Sequence, residues 1–232
     1  MNTRLFKTEQ LYCEGQHKPL YRGYIHLYSL FLFPFGLCFL YNSISSTYAF
    51  TFAVVNLLTN FMCFGTSAIY HIGNWSVQNE IILQKLDHII ISTWCVGMVV
   101  PVSFLLFPYH IGIPVLCLCS SAFIGNCYFI YLSKPSLILS SAVPATMLLY
   151  IDACMIYMNN IEWISMWCIF GFQLIGMLFF ALKITPSFFN TDIFGYHEIF
   201  HTITILVAMC VFVFVYSIAA RYEDPVNYNR LQ

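Results

Sequence analysis

Three histidines have the residue type and the spacing that a single metal ion needs. His197 and His201 are four positions apart, so they share one face of a predicted helix, and His71 ends an earlier apolar run. Two imidazoles one helical turn apart suit one ion, and a third imidazole from another helix completes the set. Three protein ligands leave the fourth tetrahedral position of zinc open, which is typical of catalytic rather than structural sites. The sequence therefore predicts a zinc site at these histidines.

Other polar side chains are predicted at the same level of the membrane. A polar stripe on the second predicted span comprises Asn56, Asn60, Ser67 and His71. At 100° per residue, these four positions fall within about 60° of one another. Asp87 stands at the start of the third predicted span, at the membrane edge where the stripe ends. Ionisable groups in or near a membrane are costly and usually functional, and Asp87 is expected in the same layer as the histidines.

The stretch from His197 to His201 also fits the H-E-x-x-H motif of zinc metalloproteases, in which Glu198 would be the general base. A downstream carboxylate ligand would then have to be Glu223 or Asp224. Both lie beyond the opposite end of the same predicted helix, about 30 Å away at 1.5 Å per residue. An intramembrane metalloprotease is therefore a disfavoured alternative, and the role of Glu198 stays open.

The remaining polar residues of the spans have simpler interpretations. A lone histidine near a helix end is more often interfacial or hydrogen-bonded than a ligand, which is how we interpret His17, His88 and His110. His26 opens the first predicted span and is as consistent with a structural role as with a functional one. Asp152 is the one acid deep within a predicted span, and we expect it near the outer interface, in contact with water.

Seven apolar stretches are long enough to cross a bilayer, for which a helix needs about 20 residues. Of the 232 residues 60% are apolar and 8% are charged, against roughly 25% charged in soluble domains. The runs are continuously apolar rather than alternating, which disfavours a transmembrane barrel. The sequence thus predicts an all-α bundle of seven transmembrane helices within the lipid bilayer. The predicted spans are 24–41, 49–70, 88–107, 111–132, 137–158, 163–182 and 196–219.

The lysines and arginines predict the orientation of this bundle. Seven of the nine lie on the side of the N-terminus: Arg4, Lys7, Lys18, Arg22, Lys85, Lys134 and Lys183. The positive-inside rule then predicts a cytoplasmic N-terminus and a C-terminus on the opposite side. The predicted organisation is a cytoplasmic arm over 1–22, a membrane domain over 23–220 and a non-cytoplasmic tail over 221–232. A net charge of −1 offers no basic surface for nucleic acid, and the oligomeric state is not predicted.

Several short motifs, taken together, resemble one known family. They are Ser-x-x-x-His over 67–71, Leu-Asp-His over 86–88, Gly-x-x-x-Pro over 97–101, Gly-Tyr-His-Glu-Ile-Phe-His over 195–201, and the lead-in segment 18–26. In combination they resemble the hemolysin III branch of the progestin and adiponectin receptor family, within the wider superfamily that includes alkaline ceramidases. The resemblance covers the chain from about Pro19 to Ala220.

This resemblance implies a seven-helix fold with a cytoplasmic N-terminus and a zinc ion on His71, His197 and His201. It also implies that Asp87 engages the water on the zinc and that Ser67 lines the site. Some members of the superfamily are associated with hydrolysis of lipid amides and others are described as receptors. The branch takes its name from a haemolytic activity. The resemblance is therefore more specific for the site than for the function.

Two classes of function follow from these observations. The leading hypothesis is zinc-dependent hydrolysis of a ceramide-like lipid amide, with Asp87 as the general base and Ser67 positioning the water or donating to the oxyanion. The alternative is a non-enzymatic receptor or pore-forming protein, in which zinc only ties the second and seventh helices together. The expected partners are the bilayer and a lipid substrate or ligand.

Overall fold

Every regular element is helical in the part of the chain that the computed structural model describes, namely residue 12 and residues 18–132 and 146–222. Six of these helices are long and apolar enough to cross a membrane, and another apolar helix is shorter. In chain order they are α1 (Tyr24–Ser43, with a turn at residues 30–31), α2 (Thr47–Ile72), α3 (Val77–Leu106), α4 (Tyr109–Leu132), the short α5 (Met147–Tyr157), α6 (Asn160–Ala181) and α7 (Tyr196–Ala220).

These helices fit the predicted seven-helix bundle. Each predicted span overlaps one helix, and the ends of α1, α2, α4, α6 and α7 agree with the prediction within a few residues. The span predicted over 137–158 is represented by α5, and its first part lies outside the described residues. The predicted sidedness of the two termini and the division into arm, membrane domain and tail stay predictions.

The third span starts earlier than predicted. α3 begins at Val77, where the hydroxyl of Ser76 accepts a hydrogen bond from the backbone N–H of Asn79 at 3.4 Å. A serine in this position satisfies one of the first N–H groups of a helix, which have no partner within the helix itself. The segment between the predicted second and third spans is therefore mostly helical. Asp87 lies inside α3 rather than at its start, so it does not cap the helix.

The last helix, α7, lies at the centre of the bundle. It packs against α1, α2, α3 and α6. Its buried side chains recur at intervals of three or four residues and include Val207, Val211, Phe214 and Ile218. This spacing is the period of an α-helix that buries one continuous face. The packing brings the first turns of α7 to the end of α2, where the predicted metal ligands lie.

The helices α2 and α3 come into close contact at Gly97. A Cβ atom at this position would lie 2.1 Å from Oγ1 of Thr59, which is far inside van der Waals contact. Small residues allow this kind of close approach between membrane helices. The contact holds the helix that carries Asp87 against the helix that carries Ser67 and His71.

A buried carboxylate joins α6 and α7 at the other end of the bundle. Glu162 is fully buried, and Arg221 donates to it through Nε at 2.7 Å and through Nη2 at 2.8 Å. The hydroxyl of Ser217 donates to the same carboxylate at 3.1 Å. The backbone N–H of Asn159 donates to it at 3.0 Å, while the Asn159 side chain accepts from the Glu162 N–H. These bonds cap α6 and tie it to the end of α7.

Candidate metal centre

His71, His197 and His201 come together where α2 ends and α7 begins. Ring centroids are 4.9 Å apart for His71 and His197, and 5.0 Å apart for His71 and His201. The centroids of His197 and His201 are 4.6 Å apart. Each residue offers one ring nitrogen, and these three atoms all lie within 4.8 Å of one another. Tetrahedral zinc holds nitrogens at about 2.0–2.1 Å, hence about 3.4 Å from each other. Small side-chain rotations would therefore bring the three rings onto one ion.

Two nitrogens of this cluster are buried without a hydrogen-bond partner among the described residues, namely Nε2 of His71 and Nδ1 of His201. An unpaired buried polar group costs about 1–3 kcal/mol, and native proteins contain few of them. A bound metal ion would satisfy both atoms, because each neutral imidazole nitrogen can donate a lone pair. The residues present therefore fit a metal ion. Imidazole ligands suit zinc, and also copper, iron and nickel.

Side chains from before α1 cover this cluster. Tyr12 is buried, and its hydroxyl oxygen lies 2.5 Å from Nδ1 of His71. Arg22 donates to the same hydroxyl oxygen through Nη1 at 3.4 Å. Nζ of Lys18 lies 4.4 Å from the centre of the Tyr12 ring. Burial raises the pKa of Tyr12 to about 12, so the phenol is neutral at physiological pH.

Gly23 allows α1 to start directly against the end of α2. Its φ of 82° lies in the left-handed region, which glycine adopts more readily than any other residue. A Cβ atom at this position would lie 2.8 Å from Cγ1 of Ile72 and 2.9 Å from Cβ of His71. The missing side chain therefore lets the turn before α1 lie against His71.

A fourth histidine, His26 of α1, stacks on the cluster. Its ring is 4.1 Å from the ring of His201 and 4.5 Å from the ring of Phe64, and nearly parallel to both. Its Nε2 lies 3.0 Å from Oγ1 of Thr204, whose hydroxyl donates to the carbonyl of His201 at 2.8 Å. The Thr204 oxygen is therefore an acceptor for the Nε2 proton. Nδ1 of His26 is left unprotonated, buried and without a partner among the described residues.

A small cavity of about 50 Å³ lies beside the histidines, and both residues predicted to act in catalysis line it. Asp87 and Ser67 are both buried. His197 and His201 line the same cavity. The structure thus brings the predicted carboxylate, hydroxyl and imidazoles to one space, whereas their catalytic roles stay predictions.

An apolar groove of about 370 Å³ lies between α1, α2 and α7. Phe64 lines both the groove and the cavity, so it forms a wall between them. Asn60 of the predicted polar stripe lines the groove, and Asn56 is buried elsewhere in the bundle. The stripe therefore points partly toward the groove and partly, through Ser67, toward the cavity.

Glu198 does not line the cavity. Its side chain is fully buried, and Oε1 pairs with the guanidinium Nε of Arg22. Oε2 accepts a hydrogen bond from the backbone N–H of Gly195 at 2.7 Å. With both oxygens engaged in this way, the carboxylate is not available to accept a proton at the histidines. This placement argues against the metalloprotease alternative and gives Glu198 a structural role.

The other predicted polar residues are not part of the three-histidine group. His88 lines the cavity, and its Nδ1 lies 2.9 Å from the carbonyl oxygen of Gln84, in agreement with a hydrogen-bonding role. His110 and Asp152 are exposed. His17 lies outside the described residues.

Tyr12 and Arg22 were not predicted as part of the site. Tyr12 and His71 are 59 positions apart, and Arg22 and Glu198 are 176 positions apart. Contacts this distant leave no spacing pattern in a single sequence. The one available signal was the position of Arg22 directly before the first span, close in sequence to His26.

The sequence profile of a family described as haemolysin-III related matches residues 14–212, which is most of the chain. The matched segment contains Ser67, Asp87 and the three histidines of the cluster. The match confirms the resemblance inferred from the short motifs.

Proposed function

We propose, from the premise that this chain belongs to the haemolysin-III related family, that it is a zinc-dependent membrane hydrolase of a ceramide-like lipid amide. The observation that carries the proposal is the cluster of His71, His197 and His201, of which His197 is half-buried and the other two are buried, beside a cavity lined by a carboxylate. A zinc ion that only joined two helices would need neither a cavity nor an acid beside it. Asp87 supplies the acid–base group that hydrolysis requires, and Ser67 lines the same cavity.

Zinc held by the three histidines would act as a Lewis acid and lower the pKa of a water molecule toward about 7. Asp87 accepts a proton from the attacking water as the water oxygen bonds to the amide carbonyl carbon. The same carboxyl group then delivers that proton to the amine nitrogen as the C–N bond breaks. The products are a fatty acid and a free amine. Ser67, which lines the same cavity, would position the attacking water or donate to the oxyanion.

The sizes of the two spaces support a lipid substrate. The cavity of about 50 Å³ is much smaller than the groove of about 370 Å³, so we assign only the reacting amide to the cavity. The groove of about 370 Å³ falls within the roughly 300–1,000 Å³ of typical ligand sites, and its lining is almost entirely apolar. We assign an acyl chain to the groove. Phe64, the wall between the two spaces, would have to turn aside for that chain to connect to an amide in the cavity.

The test of this function is the release of free fatty acid from a panel of ceramides in detergent, with zinc assayed on the same samples. Asp87→Asn should keep the fold and most of the zinc and lower the rate by about 10²–10⁴-fold, because a general base contributes that much. Ser67→Ala should lower the rate by a smaller factor, since a water molecule can replace one positioning hydrogen bond. Asp152→Asn, which changes an exposed acid of α5, is the matched control and should leave zinc and rate unchanged.

Two outcomes would contradict the proposal in different ways. Full activity in a zinc-loaded Asp87→Asn protein would overturn the assigned mechanism while leaving the enzyme class intact. A parent protein with about one zinc per chain and no turnover on any ceramide would overturn the enzymatic function. That second result would instead favour a receptor or a pore-forming protein whose zinc is structural.

A further inference from the structure

The geometry points to Tyr12 as a positioning residue that selects which nitrogen of His71 binds the metal ion. This inference rests on the metal site of the proposed function, and it adds a residue from outside the helical bundle to that site. Tyr12 touches His71 through its hydroxyl and is not itself one of the three candidate ligands.

The two ring nitrogens of His71 have different surroundings. Nδ1 lies 2.5 Å from the Tyr12 hydroxyl oxygen, whereas Nε2 is buried without a partner among the described residues. A neutral imidazole carries one proton, and a metal ion takes the nitrogen that lacks it. Histidine ligands almost always donate their other N–H to a partner that fixes the tautomer and the ring orientation. The Tyr12 oxygen is that partner for Nδ1–H, which leaves the lone pair of Nε2 for the metal ion.

Several contacts hold the Tyr12 hydroxyl in the place where this role requires it. Arg22 donates to the same oxygen at 3.4 Å, and a hydroxyl oxygen has two lone pairs, so it can accept from both groups. The centre of the Tyr12 ring lies 4.4 Å from Nζ of Lys18 and 5.9 Å from the centre of the Tyr70 ring. Lys18 in turn donates to the carbonyl oxygen of Gly73 at 2.8 Å, which lies just after α2.

The consequence is a dependence of metal affinity on a residue that does not bind the metal. Without the Tyr12 hydroxyl, Nδ1–H of His71 loses its buried acceptor, and the ring is free to turn either nitrogen toward the ion. Removing a partner of this kind usually lowers metal affinity by about 10–100-fold. We therefore expect Tyr12→Phe to weaken zinc binding by about that factor without removing any ligand.

The experiment compares the parent protein with Tyr12→Phe, Tyr21→Phe and His71→Ala. Zinc affinity is measured by competition with a chromophoric chelator at fixed pH, and the visible spectrum of the cobalt-substituted protein reports the ligand geometry. Thermal stability of the metal-free protein is measured alongside. Tyr21 is the matched control, because it belongs to the same segment, undergoes the same substitution and is 44% exposed. His71→Ala shows how far zinc affinity falls when one ligand is removed.

The inference predicts about 10–100-fold weaker zinc binding and a changed cobalt spectrum for Tyr12→Phe, with Tyr21→Phe equal to the parent. If Tyr12→Phe lowers only the stability of the metal-free protein, and affinity and spectrum equal those of the parent, Tyr12 merely anchors its segment and the inference is wrong. In that case His71→Ala still loses zinc, so the metal site of the proposed function stands. A parent protein that binds no zinc would overturn both the proposed metal site and this inference.

Discussion

The buried ion pair between Arg22 and Glu198 gives a quantitative prediction about stability. The Glu198 side chain is 0% exposed and the Arg22 side chain is 10% exposed, so water screens this pair very little. Arg22→Met would leave the Glu198 carboxylate with only the N–H of Gly195 as a hydrogen-bond donor among the contacts described above. Removing one partner of a buried pair typically costs about 3–5 kcal/mol. We expect a loss of that size in the free energy of unfolding.

A substitution of the other partner, Glu198, should lower the free energy of unfolding by less. Glu198→Gln keeps an oxygen that can accept from the Gly195 N–H, and Arg22 still reaches the Tyr12 hydroxyl. We therefore expect the free energy of unfolding to fall by about 1.5–3 kcal/mol, which is typical for the loss of one charged hydrogen bond. The Arg22→Met/Glu198→Gln double variant removes both charges. It should recover about 0.5–3 kcal/mol of the Arg22→Met loss, which is the range of coupling between contacting residues.

The assay is unfolding of the protein in mixed micelles by added sodium dodecyl sulfate, followed by tryptophan fluorescence. Asp152→Asn, an exposed acid, is the control and should lie within about 0.5 kcal/mol of the parent. An Arg22→Met protein as stable as that control would refute the buried pair. It would also reopen the possibility that Glu198 faces the histidines as a general base.

Three further predictions concern the rest of the molecule. Gly23→Ala should lower the free energy of unfolding by more than about 1 kcal/mol, because alanine is strained at a φ of 82° and its Cβ would meet His71; an unchanged melting temperature would contradict this. Arg221→Met should cost about 1–3 kcal/mol in the same micelle assay, since the buried Glu162 loses two charged hydrogen bonds to a side chain that is 44% exposed. Stability equal to the parent would show that this pair is not formed. A protease site at the N-terminus should be cut only from the cytosol and one after Arg230 only from the other side, and cleavage of both from one side would contradict the seven-span topology.

Most of the helices could be predicted because the bilayer imposes a length and an apolar composition on each one. The prediction was wrong at the start of α3, where Glu80, Gln84 and Lys85 interrupt the apolar run. Hydropathy detects only the apolar residues that can lie in lipid. A helix can extend beyond them, because its backbone hydrogen bonds do not depend on apolar side chains. The polar side chains therefore hid three turns of α3, and they made Asp87 look like the first residue of a helix.

The candidate site could be predicted only in part, for a related reason. His197 and His201 are neighbours on one helix, so helical spacing revealed them, and the end of an apolar run marked His71. The contacts of Tyr12 and Arg22 join residues that lie far apart in the sequence. No local period records those contacts, and neither residue type is unusual in a polar segment.

We propose that one zinc ion binds between His71, His197 and His201. The zinc content of the purified protein tests this proposal, measured by elemental mass spectrometry in the parent and in alanine variants of these residues. We expect about one zinc per chain in the parent, as for a single three-histidine site, and none in His197→Ala or His201→Ala. Stoichiometric zinc in a His71→Ala/His197→Ala double variant would contradict it.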